Sequence, residues 1–88
     1  MYENEIISGL EKINGKKIVL SICGFLNTKM ILDKLNFELI HDILKVYDDN
    51  NYFTFNINQI VKVNFNLDFE FITDSDITIS IKEIKNAY

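Results

Sequence analysis

The sequence predicts a mainly β fold, with a short N-terminal helix followed by a small antiparallel β-barrel or strongly bent sheet. Three observations point to this. Residues 61–71 are apolar at every odd position and polar at every even one. Strand side chains alternate between faces, so this run reads as one long half-buried strand. Clusters of Asp, Asn, Ser and Thr at 48–51 and 73–76 punctuate the chain, and these residue types accept turn dihedrals and bond their own backbone. Near the N-terminus, Ile6, Leu10 and Ile13 recur at helical spacing.

The elements follow in order. Across residues 3–13, Ile6, Leu10 and Ile13 recur at helical spacing, with Ile7 flanking them and Glu3, Glu5 and Glu11 elsewhere. Acidic residues in a first turn suit the helix dipole. Asn14-Gly15 is a natural stop, because both residues tolerate the left-handed conformation that ends helices. Residues 16–23 alternate with Ile18, Leu20 and Ile22 on one face, and residues 24–28 read as a turn.

Residues 30–47 admit two readings. As a helix, Leu32, Leu35, Leu39, Ile43 and Val46 make a stripe, but Met30, Phe37, Ile40 and Leu44 spoil the opposite face. As strands, Leu35, Phe37 and Leu39 face inward and Asn36 and Glu38 outward. Two strands kinked near His41-Asp42 are the preferred reading. Tyr52 then opens a strand with Phe53, Phe55 and Ile57 on one side, and Asn58-Gln59 interrupts it. After the long alternating run, Ile77, Ile79 and Ile81 alternate with Thr78, Ser80 and Lys82, and the polar end Asn86-Ala87-Tyr88 is expected to fray. The predicted core is Leu10, Ile18, Leu20, Ile22, Leu35, Phe37, Leu39, Phe53, Phe55, Ile57, Val63 and Phe65.

The chain has 88 residues and reads as a single small domain over 1–88. A domain of this size buries roughly 60–70% of the surface its unfolded chain exposes, so self-association is an easy route to further burial. Net charge is −4, and every basic residue is Lys. Arg supplies the bidentate fork suited to phosphate and guanine. Its absence from an acidic chain argues against broad electrostatic binding to nucleic acid. Cys23 is the sole cysteine, so no intrachain disulfide forms and a reducing compartment fits. Neither a signal segment nor an apolar run of about 20 residues is evident, so a cytoplasmic chain with no membrane partner is expected.

Three segments resemble the Sm-like family of small barrels, an SH3-like architecture. Ile6-Ile7-Ser8-Gly9-Leu10 through Gly15-Lys16-Lys17-Ile18-Val19-Leu20 looks like the family's opening helix and Gly-Lys-x-Val first strand. Asp33-Lys34-Leu35-Asn36-Phe37-Glu38-Leu39 is similar to the Asp-x-x-Met-Asn-x-x-Leu signature, one residue short. Residues 53–63 occupy the place of the second motif, with Asn56-Ile57 where the family has Arg-Gly. The resemblance covers 6–63, and residues 64–84 would add strands beyond a minimal barrel. It implies rings joined edge to edge by the fourth and fifth strands, with RNA bound on one face by Asp33, Leu35 and Asn36. The missing Arg weakens the RNA implication more than the fold implication.

No catalytic constellation, metal site or cofactor is expected. His41 and Asp42 are adjacent, which on a strand puts them on opposite faces, and no nucleophile or orienting group accompanies them. Cys23 lies in an apolar strand and reads as a small buried hydrophobe. Asp48-Asp49-Asn50-Asn51 and Asp74-Ser75-Asp76 lack the spaced ligands, Gly and closing Glu of a calcium loop. One Cys and one His do not make a zinc site. Tyr52, Phe53 and Phe55 near Lys62 resemble a base-stacking platform, but alternation places the two phenylalanines inside. Gly9, Gly15 and Gly24 form no phosphate-cradling loop.

The expected function is a non-catalytic binding and assembly module that self-associates as a dimer or small ring, or that takes a protein partner. Lys62, Asn64, Asn66, Phe69 and Phe71 are its expected oligomer edge, because a strand spanning 61–71 would outrun its neighbours. An Sm-like RNA binder and a small acidic inhibitor from a mobile element are the alternatives.

Overall fold

A computed structural model describes residues 2–24, 27–64 and 69–85. The helix α1 spans Glu3–Ile13. Eight strands follow: β1 Ile18–Cys23, β2 Thr28–Leu32, β3 Asn36–Ile40, β4 Ile43–Tyr47, β5 Tyr52–Asn56, β6 Ile60–Asn64, β7 Phe69–Thr73 and β8 Thr78–Glu83. A single 3₁₀ turn, Ile57–Gln59, stands between β5 and β6. The fold is mainly β with one N-terminal helix. The strands make two antiparallel sheets, one of five strands ordered β2-β1-β8-β7-β6 and one of three ordered β3-β4-β5. Among the described residues neither sheet closes into a barrel.

The helix stops where glycine permits it. Gly15 has φ +81, a conformation that costs glycine little and side-chain-bearing residues more. No side chain caps the N-terminus. The Tyr2 hydroxyl instead donates to the Val61 carbonyl at 3.0 Å, tying the helix start to β6. Past Leu32 the β1 ladder bends rather than ends: Leu35 N–H donates to the Lys16 carbonyl at 2.9 Å, and Gly15 N–H to the Leu35 carbonyl at 2.8 Å. Residues 33–35 therefore turn the chain from the large sheet into the small one, and the 3₁₀ turn carries it back.

The core lies between the two sheets and the helix. Ile18, Leu20, Leu32, Leu35, Leu44, Phe71 and Leu10 are fully buried, with Ile6, Ile79, Ile81 and Phe69 nearly so. The Phe55 and Phe71 rings join the sheets at 5.4 Å between centroids. Of the predicted core, Leu10, Ile18, Leu20 and Leu35 are buried. Ile22, Phe37, Leu39, Phe53, Phe55, Ile57 and Val63 pack against the cluster at partial exposure. Phe65 lies outside the described residues, as do Asn66 and Asn86-Ala87-Tyr88.

Three expectations are corrected. Residues 30–47 hold parts of three strands rather than two, since the end of β2 precedes the β3–β4 hairpin; the kink at His41-Asp42 is that hairpin's two-residue loop, with Ile40 opposite Ile43. The run 61–71 is no single strand. Its halves, β6 and β7, pair with each other antiparallel, Val63 opposite Phe71 and Asn64 opposite Glu70. Their register shifts between Ile60 and Lys62, so Ile60 turns inward and Val61, from the apolar set of the alternating run, is 52% exposed. Cys23, expected to be buried, is exposed: it ends β1 on the outer face, one residue beyond Ile22.

Candidate functional site

A shallow cleft of about 90 Å³ is lined by Asp33, Lys34, Asn36, Asp48, Asp49 and Asn50. The turn after β4 builds one wall, and Asp48 builds the turn. Its Oδ1 accepts from the backbone N–H of Asn50 at 2.8 Å and of Asn51 at 2.7 Å. Its Oδ2 accepts from Asp33 N–H at 2.9 Å, which pins the bend between the two sheets to the turn. The backbone N–H groups of Asn50, Asp33 and Asn51 hold the Asp48 carboxyl below its ordinary 3.8, because they favour the charged form. This carboxylate is spent on the fold. Acid–base catalysis calls for a group poised near the working pH, and Asp48 is displaced the opposite way.

The cleft brings Asp33 and Asn36 together. Asn36 donates through Nδ2 to the Lys34 carbonyl at 3.2 Å, and Asp33 sits 3.9 Å from Lys17 Nζ in an exposed ion pair. Leu35, assigned with them to an RNA pocket, is fully buried and presents nothing to a base. Three carboxylates and one ammonium line the cleft, a poor setting for a phosphate.

His41 is exposed with φ 57. It occupies the first loop position of the β3–β4 hairpin, where tight two-residue turns demand a positive φ. The following Asp42 gives its carbonyl to Ile57 N–H at 2.9 Å. The pair shapes a turn. Asp74-Ser75-Asp76 does likewise: Thr73 Oγ1 accepts from Ser75 N–H and Ile77 N–H. Among the described residues no group of three or more His, Cys, Asp or Glu is placed to hold a metal ion. None of the described helices is long and apolar enough to cross a membrane.

The aromatic platform differs from the one read in the sequence. Phe53 and Phe55 lie on the inner face, 5.8 Å apart between centroids. On the outer face Tyr47 stands opposite Tyr52, and Lys45 Nζ lies 4.8 Å from the first ring and 5.4 Å from the second. Lys45, not Lys62, is the cation. The signal was available, since Lys45 and Tyr47 share a face two residues apart.

The expected oligomer edge divides. Lys62 and Asn64 lie on β6, an edge strand of the large sheet. Phe69 and Phe71 do not: β7 is flanked by β6 and β8, and both rings point into the core, 8% and 0% exposed and 4.6 Å apart. The other edge of the large sheet is β2, where Ile31 is 51% exposed. Comparison with family models, curated proteins and solved structures returns no match for this chain.

Proposed function

We propose that this chain is a non-catalytic binding and assembly module that self-associates through strand edges into a dimer or small ring. The observation that carries this reading is the open end of the five-stranded sheet at β2, which has no neighbour on its outer side among the described residues. An unpaired edge presents backbone donors and acceptors that a second strand satisfies. The two described acidic turns support the non-catalytic part, since the carboxylate or hydroxyl at the head of each is engaged by backbone N–H groups. Light scattering at tens of micromolar tests it. A mass of two or more chains is expected, and a mass of 10.3 kDa refutes it.

Single-stranded RNA is the second reading. It draws on the Sm-like resemblance and on Asp33 and Asn36 sharing one cleft. The acidic lining argues for weak binding. Filter binding with uridine- and adenine-rich RNA separates the two readings, and retention abolished by Asn36→Ala would favour the second.

A further inference from the structure

The large sheet has two edges, and they are not equivalent. At β6 the register shifts between Ile60 and Lys62, and the Tyr2 hydroxyl occupies the Val61 carbonyl. A bulge is a device that keeps other strands away from an edge. Strand β2 keeps an unbroken register with β1, from Ile18 opposite Leu32 to Ile22 opposite Thr28.

The backbone of β2 can be assigned group by group. Ile84 N–H donates to the Lys17 carbonyl at 2.8 Å, in register with Ile18 opposite Glu83. Antiparallel ladders alternate bonded and non-bonded pairs. Lys17, Val19 and Ser21 therefore bond toward β8, and Ile18, Leu20 and Ile22 bond toward β2. Their partners Leu32, Met30 and Thr28 are spent on β1. Lys29 and Ile31 aim their N–H and carbonyl groups outward, away from the sheet. Asp33 follows the same parity, and its N–H is taken by Asp48. The edge thus offers the N–H and carbonyl of Lys29 and of Ile31, bounded at one end by the chain's own turn.

We propose that the occupant of this edge is β2 of a second copy, paired antiparallel across a two-fold axis at Met30. The proposal rests on the assembly reading above and names the strand and register. With Met30 opposite its counterpart, Lys29 of each copy faces Ile31 of the other. The donors and acceptors of each edge are then satisfied reciprocally by hydrogen bonds between the copies. Moving the axis to Ile31 would set Lys29 against Asp33, whose N–H is occupied. Moving it to Lys29 would place two like charges directly opposite, which is unfavourable. At Met30, each Lys29 has the other Lys29 on one diagonal and an Asp33 carboxylate on the other, so the acids offset the lysines. The Lys29 stem covers the half-exposed Ile31, and the half-buried Met30 side chains meet on the inner face.

Two variants test this. Directly opposed, non-bonded antiparallel pairs bring Cα atoms to about 4.5 Å, within the roughly 4.4–6.8 Å that a disulfide spans. Met30→Cys in a Cys23→Ser background should therefore form an interchain disulfide in most of the protein under mild oxidation. Ile31→Pro removes an outward N–H without touching the β1 ladder, as proline on an edge strand can. It should halve the mass while leaving the circular dichroism unchanged. A dimeric wild type whose Met30→Cys variant forms no interchain cross-link overturns the β2 register but leaves the assembly reading standing. A dimer that survives folded Ile31→Pro does the same, and if that variant unfolds, the cross-link decides. A monomeric wild type overturns both.

Discussion

Phe71 is where the two sheets meet, so its truncation measures whether they form one core. The ring is fully buried, 5.4 Å from Phe55 across the sheets and 4.6 Å from Phe69 in an edge-to-face pair. Phe→Ala in a core costs about 3–5 kcal/mol, and aromatic pairs contribute about 0.5–1.5 kcal/mol beyond area. Losing both pairs puts Phe71→Ala in the upper half of the range, about 4–5 kcal/mol. A domain of this length has roughly 4–13 kcal/mol in total. The variant should thus be marginal, with Tm lowered by at least about 16 °C at about 4 °C per kcal/mol. Urea unfolding followed by circular dichroism reads the loss directly, since the chain has no Trp. Glu11→Ala, at an exposed site on the helix, should stay within about 0.5 kcal/mol. A Phe71→Ala loss under about 1.5 kcal/mol would mean the small sheet does not pack on the large one, and the argument for a shared core would fail.

Thr73 is buried, and its hydroxyl accepts from two backbone N–H groups; Thr73→Val keeps the shape and should cost about 1–3 kcal/mol in urea unfolding. His41 is held at φ 57, so His41→Gly should raise stability by about 0.5–1 kcal/mol, and a loss would show that its side chain has a role the turn does not explain. Asp48 has a depressed folded value, so its contribution is present above the ordinary 3.8 and fades as pH falls through that lower value. Asp48→Asn should therefore destabilise at neutral pH and converge with wild type in acid, which parallel thermal melts across pH would reveal; a gap unchanged at low pH would count against the backbone-bonding account.

Much of the fold was legible because local chemistry and tertiary demand agreed. The 3.6-residue spacing of Ile6, Leu10 and Ile13 sets the helix face, and Gly15 ends it where its φ of +81 is needed. The alternation of Ile18, Leu20 and Ile22 and of Ile77, Ile79 and Ile81 marks two strands that turn out to pair. That pairing itself was not legible, since nothing local joins the two ends of the chain. Strand β2 was missed because Thr28-Lys29-Met30-Ile31-Leu32 carries adjacent apolar positions on opposite faces and so shows no clean period. At the candidate site, Asp33 and Asn36 line one cleft and Leu35 does not join them. Its backbone bonds to Gly15 and Lys16 fix it at the corner between sheets, and a corner residue of this kind faces the core.

The alternating run teaches the harder lesson. One long strand over 61–71 and a hairpin folded from the same residues show the same binary pattern. In the hairpin, residue 63 faces 71 and 64 faces 70, so the described odd positions 63, 69 and 71 share one face, while the register shift before Lys62 turns Val61 out. Alternation therefore fixes which side is apolar and leaves chain direction open. Two signals favoured the hairpin. Strands usually run about 5–6 residues, and Asn66 and Asp68 are turn-forming residues in the middle of the run. The distinction changes the functional argument. With one long strand, Phe69 and Phe71 would project and association would be driven by apolar burial. With the hairpin they belong to the core, and the surface left for a second copy is an edge of backbone groups with a half-exposed Ile31 and a Lys29 beside it. Association through such an edge depends on register more than on apolar area, so one misplaced backbone donor, as in Ile31→Pro, should weaken it more than trimming Ile31 to Val.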